Sequence, residues 1–134
     1  MKRPYIKKYG KISKFTIWIV EGNYIRTNLD KEFTNIGHHY TFKFVPKNEF
    51  WLDKENKPGE ERFYIDYLLV ENRLMSHGKS YKEASEKASM VEKSERNKIK
   101  LIKKKFKNKS EIIKRIHKKL LKVYSKKVKI WIVN

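Results

Sequence analysis

The sequence predicts an α+β fold: a small antiparallel sheet with two packed helices, then a basic C-terminal helix and a closing C-terminal strand. Three observations predict it. β-branched and aromatic runs of strand length fill the first half of the chain. After a Pro58-Gly59 loop the apolar spacing changes to a helical period. A last apolar run, Val128 to Val133, returns to strand character. With 134 residues and 16.3 kDa there is room for one domain and an appendage. Hydrophobic residues make up 39% and charged residues 37%, so the core is small.

Residues 1–13 read as a basic N-terminal arm, irregular because Pro4 and Gly10 discourage regular structure. Phe15-Thr16-Ile17-Trp18-Ile19-Val20 is the clearest strand. Glu21-Gly22-Asn23 supplies turn residues, and Tyr24-Ile25-Arg26 is expected to return as the second half of a hairpin. From His38 to Val45 the pattern alternates, with Tyr40, Phe42 and Phe44 opposite His39, Thr41 and Lys43, as a half-buried strand would. Pro46-Lys47-Asn48 turns the chain into a short strand, Glu49-Phe50-Trp51-Leu52.

A first helix is expected at 59–78, with Glu60 and Glu61 at its positive end and Gly78 as its C-terminal stop. Ser80-Tyr81-Lys82-Glu83 matches a capping box and opens a second helix at 80–108, with Tyr81, Ala84, Ala88 and Val91 as a narrow packing stripe. Asn108-Lys109-Ser110 reads as a break. A third helix at 110–125 then places Ile112, Ile113, Ile116, Leu120, Leu121 and Tyr124 on one face, expected to dock on the body. The final Lys127–Val133 run repeats the Trp-Ile-Val pattern of Lys14–Val20, and pairing of the two strands within the chain is the first expectation. The domain reading is therefore arm 1–13, α+β body 14–92 and basic extension 93–134.

Charge is distributed unevenly. Residues 1–20 carry six basic and no acidic residues, residues 21–92 eleven basic against thirteen acidic, and residues 93–134 seventeen basic against two acidic, within a formal net charge of +19. A near-neutral body thus bears strongly basic flanks, the layout suited to a polyphosphate, where each neutralised phosphate releases a counterion. Lysine dominates over arginine, which favours backbone contact over bidentate base reading. The absence of cysteine excludes disulfides, a thiolate nucleophile and Cys-ligated metals. No apolar run has the length of a membrane span, and no signal-like segment follows Met1-Lys2-Arg3-Pro4-Tyr5. No phosphate loop, GxSxG or kinase motif is visible, and Asp66 and Glu71, five apart, do not share a helix face. His38 and His39, adjacent on an expected strand, point to opposite faces and read as structural rather than metal-binding, with His77 or His117 needed to complete any site.

The stretch Glu61–Gly78 with Ser80–Ser85, together with Trp18–Gly22, Asp30–Tyr40 and Phe44–Asp53, resembles a group of small, largely uncharacterised bacterial and bacteriophage proteins. The resemblance covers roughly residues 14–92. It implies a zinc-peptidase-like helix carrying His-Glu-Leu-His-Glu-Arg and a later Ala-His. Here Tyr67 stands in the first His position, Leu68 in the Glu position, Val70 in the second His position and Ser85 in the later one, leaving only Glu71. Two His ligands one turn apart and a water-activating Glu cannot be assembled from these residues. The resemblance therefore implies a fold kept as a platform, its metal ligands replaced.

The expectation is a non-catalytic protein that binds structured RNA, rRNA first, as a component of a ribonucleoprotein, ribosomal or ribosome-associated. It would be intracellular, with neighbouring proteins as further partners and without a cofactor or metal. A Lys/Ile/Asn/Tyr bias suits an AT-rich organellar, viral or reduced bacterial genome. Phosphate contacts are expected from Lys103, Lys104, Lys105, Lys107, Lys109, Lys114, Arg115, Lys118, Lys119 and Lys122, with Lys2, Arg3, Lys7 and Lys8 as a second anchor. Phe106, inside the densest lysine cluster, fits a helix stripe better than a base-stacking role. The alternatives are a phage-type metal-dependent hydrolase fold, active or degenerate, using His38, His39 and Glu71, and a DNA-binding architectural protein. An anionic membrane surface is disfavoured because residues 110–124 hold no Trp or Phe.

Overall fold

The computed structural model describes the backbone of residues 2–133 and the side-chain surroundings of residues 2–120 and 122. The elements are β1 (Tyr5–Ile12), β2 (Phe15–Val20), α1 (Gly22–Asn28), β3 (Ile36–Gly37), β4 (Glu49–Asp53), α2 (Glu61–Ser76) and α3 (Tyr81–Val133). The four strands form one mixed sheet in the order β1-β2-β4-β3, an α+β arrangement with the helices. The chain divides into two units, Met1–Glu95 and Arg96–Asn134.

The segment expected to be irregular, 5–12, is a strand. β1 pairs antiparallel with β2 from Tyr5↔Val20 to Ile12↔Phe15, through a turn with Ser13 at φ 53°. Pro4 lies just outside the strand and Gly10 sits beside a register shift, so both residues occupy places an edge strand tolerates. The hairpin therefore precedes β2 rather than following it.

Tyr24-Ile25-Arg26 is not a returning strand but the middle of α1. The helix start is held from another element: Asp53 Oδ1 accepts the Gly22 N–H at 3.2 Å, and Asp53 Oδ2 takes Arg26 Nη1 at 3.1 Å. A Cβ on Gly22 would overlap the Asp53 carboxylate, so only glycine permits this approach. Because the chain leaves β2 through α1 and a long loop, it re-enters beside β2 in the same direction. β2 and β4 pair in parallel, Thr16↔Glu49 through Val20↔Asp53. The expected all-antiparallel meander is thus a mixed sheet, with antiparallel pairing kept at β1–β2 and β3–β4.

The alternating His38–Val45 segment is a loop, not a strand. Its backbone bonds are local: Thr41 and Phe42 N–H groups donate to His38 O, and Val45 N–H to Phe42 O. The alternation has another cause, since Phe42, Phe44 and Val45 fold over the sheet as plugs. Period two in β2 and β4 then divides the core. Phe15, Ile17, Phe50 and Leu52 face Ile65 and Leu68 of α2, while Val20 and Trp51 face Ile25, Phe33 and Val45. Covered on both sides, the central pair reads as a continuous apolar run, as buried parallel strands do.

α2 ends as expected. Gly78 takes φ 88°, its N–H donates to Met75 O, and Lys79 N–H donates to Leu74 O, completing a Schellman stop. Ser80 Oγ then accepts the Glu83 N–H at 3.2 Å, one half of the capping box. Ala84 and Ala88 are fully buried, Val91 is half-buried and Tyr81 is exposed. Arg62 of α2 reaches Glu95 of α3 at 3.9 Å.

Neither the break at 108–110 nor the closing strand at 127–133 is present: α3 runs through both. No Gly or Pro occurs after Gly78, and once a helix is nucleated each further residue adds a hydrogen bond at little cost. The Val128–Val133 run is too short for periodicity to separate strand from helix.

Candidate nucleic-acid interface and a buried polar network

All ten basic residues expected at the interface lie on α3 in the second unit, and all are exposed. At 100° per residue the helix does not gather them all. Lys103, Lys107, Lys114 and Lys118 fall in one line, and Lys104, Arg115, Lys119 and Lys122 lie beside it, a contiguous basic side. Lys105 and Lys109 project from a different side. From Lys103 to Lys122 this surface extends for about 28 Å, at roughly 1.5 Å of rise per residue.

The apolar positions of the same helix behave differently from expectation. Of the face expected to be apolar, Ile112, Ile113, Ile116 and Leu120 are exposed and belong to neither core cluster, while the Leu121 and Tyr124 side chains lie outside the described residues. Ile99, Ile102, Phe106, Ile113, Ile116 and Leu120 follow three-four spacing along it, and Phe106 is 74% exposed. No helix among the described residues is long and apolar enough to cross a membrane.

The N-terminal group lies in the first unit. Lys2, Arg3, Lys7 and Lys8 are exposed. Lys7 and Lys8 are consecutive on β1, where successive side chains point to opposite faces. Arg3 pairs with Glu21 at 3.5 Å and lies over the Tyr24 ring at 5.7 Å.

The body contains a buried polar network that the sequence named only in part. His38 is fully buried, and its Nε2 lies 2.7 Å from Glu71 Oε1. Asn72 Nδ2 lies 3.0 Å from His38 Nδ1. Glu71 Oε1 and Asn72 Nδ2 thus hold the two ring nitrogens of His38 from adjacent positions of α2. The network ties the 38–45 loop to α2. Asn72 was missed because it adjoins Glu71 in a helical sequence without a pattern of its own; its signal is the spacing Ile65, Leu68, Asn72 along the buried face. His39 does not join this network; its ring lies tilted against Tyr40 with centroids 3.9 Å apart, and its Nδ1 is buried without a partner. His77 is bonded within its own helix end, to Arg73 O at 2.7 Å, and His117 is exposed. Among the described residues no three His, Cys, Asp or Glu side chains come together as a metal site.

Glu71 has a second aspect. Its Oε2 is buried on the Tyr67 side of the network. Glu71 also lines a cavity of about 780 Å³ in the first unit, between the 30–42 loop and the facing sides of α2 and the start of α3. The Tyr67 phenol in that wall is pushed up to about 12, first by burial, then by the Glu71 and Tyr81 charges and a side-chain hydrogen bond to Glu71. Compared with family models, curated proteins and solved structures, the chain matches none.

Proposed function

We propose that the chain binds structured RNA, without catalysis, through the phosphate backbone, as a component of a ribonucleoprotein. The observation that carries this reading is the basic side of α3: eight exposed cations aligned along one uninterrupted helix. A line of ammonium groups at one- and two-turn intervals is matched to a repeating anion rather than to a compact ligand. Seven of the eight are lysines, point charges that position a backbone without reading bases. The side chains are already solvated and aligned, so binding releases counterions with little rearrangement of the helix.

The test is a salt titration of affinity for a folded RNA, with duplex DNA as competitor. Charge reversal at Lys103, Lys107 and Lys114 should flatten the log–log salt slope by about 2–3, given roughly 0.7–0.9 per phosphate contact. Reversal at Lys105 and Lys109 should change it less. Equal slopes for the two variants would count against the proposed side, and preference for duplex DNA would favour an architectural role on DNA. The exposed Ile/Leu/Phe stripe favours a second reading, in which α3 lies along an anionic lipid surface. Co-sedimentation with phosphatidylserine vesicles, lost on Phe106→Ser, would support that reading.

A further inference from the structure

The apolar residues of α3 in the second unit repeat every seven positions. Ile99, Phe106, Ile113 and Leu120 form one set, and Ile102 and Ile116 a second set three residues further on, with Lys109 in the place between those two. This is the a/d spacing of a coiled-coil seam, sustained over about three heptads. At 100° per residue the six apolar side chains fall within about 100° of the helix circumference. Ile102, Phe106, Ile113, Ile116 and Leu120 are each more than half exposed, and neither core cluster includes them. The e and g positions beside the seam carry Lys103, Lys105 and Lys119, and none of them between 99 and 120 is acidic.

We propose that this seam docks an acidic amphipathic helix of another protein, one with apolar residues at its own a and d positions and Asp or Glu beside them. Charge decides the occupant. In a coiled coil the e and g side chains of one helix meet those of its partner. A second copy would set lysine against lysine along the seam, in a segment with sixteen basic residues against one acidic, so self-pairing is opposed. An acidic helix turns the same contacts into ion pairs and offsets the i, i+4 repulsion between Lys105 and Lys109. A carboxylate opposite Lys109, which sits within the seam, fixes the register. A lipid surface asks only for a broad apolar face and gains nothing from a seven-residue repeat interrupted by a lysine. Lys107, Lys114 and Lys118 point away from the seam, so α3 has room for an RNA and a partner helix together. The proposal does not rest on RNA binding.

Fluorescence anisotropy of the full chain with a synthetic peptide of about four heptads, Ile at a, Leu at d and Glu at e and g, tests it. One control peptide carries Lys at e and g. A second has the acidic peptide's composition in an order that breaks the repeat. The acidic heptad peptide should bind at least about tenfold more tightly than the scrambled one, and the lysine peptide should not bind. Ile113→Ser combined with Ile116→Ser should weaken binding at least about tenfold, because two seam side chains no longer leave water. Leu101→Ser, at an exposed leucine off the seam, should leave it within about twofold. All three residues lie outside the core clusters, so the variants keep the body folded. The double variant should also keep the salt slope for RNA, so the seam and the phosphate contacts stand or fall separately. Equal binding of the acidic and scrambled peptides would reduce the contact to attraction for any polyanion, and unchanged affinity in the double variant would remove the seam. Dimerisation of the chain alone would assign the face to a second copy, and binding of phosphatidylserine vesicles in preference to the peptide would assign it to lipid. Each of these results would overturn the proposal.

Discussion

His39 shows how a single side chain couples the loop to solvent pH. Burial first, then the neighbouring His38 and the more distant Lys47 and Lys14 charges, hold its ring below the ordinary value of 6.5. The unfolded chain therefore takes up a proton near pH 6.5, and the folded chain only at lower pH. The associated stability is complete above that value and declines as pH falls beneath it. His39→Phe keeps an aromatic ring against Tyr40, removes the titration and removes the unpartnered Nδ1. Its melting temperature should fall less than that of the wild type between pH 7.5 and 5, measured by circular dichroism; parallel curves would refute the assignment. The sequence placed His38 and His39 on opposite faces of a strand. They diverge in the structure for a different reason: a turn of local hydrogen bonds sends one ring under the loop and sets the other against Tyr40.

Among the elements, the junction of α2 and α3 was the most legible, because its chemistry is local. Gly78 at φ 88° and Ser80 Oγ on the Glu83 N–H are decided by residues within five positions of each other. Gly78→Ala forces a Cβ into a left-handed backbone and should cost about 1 kcal/mol. Ser80→Ala removes the cap and should cost about 1 kcal/mol as well. Urea unfolding of the first-unit signal measures both, and a change below a few tenths of a kcal/mol would show that the junction carries no strain. β2 and β4 were legible for a similar reason, since β-branched and aromatic runs suit a sheet buried on both faces. The parallel pairing was not legible. It depends on α1, and α1 depends on Asp53, a partner about 30 residues distant that accepts the Gly22 N–H and Arg26. β1 was hidden by Pro4 and Gly10, whose effect vanishes at a sheet edge. For the candidate interface, the density of lysines could be read from charge alone, whereas the alignment of Lys103 and Lys107 with Lys114 and Lys118 needs a helix that runs unbroken through 108–110, where the sequence suggested a break.

At the level of the whole molecule, fold and charge are separated along the chain. Every buried hydrophobic side chain among the described residues lies at or before Ala88. Residues 96–134 hold sixteen basic residues and one acidic, leaving eighteen against fourteen in residues 1–95. Repulsion among those sixteen cations favours extension of the segment and opposes burial, while a polyanion reverses the balance. A chain ending at Glu95 should therefore keep its core. Its melting temperature should stay within about 3 °C of the full chain, corresponding to roughly 0.6 kcal/mol or less for a domain of this size. Removing the segment should also abolish most of the salt-dependent affinity for RNA, because only Lys2, Arg3, Lys7 and Lys8 of the proposed contacts remain. A large fall in melting temperature would mean that residues 96–134 support the body, and retained affinity would move the interface to the β1 side.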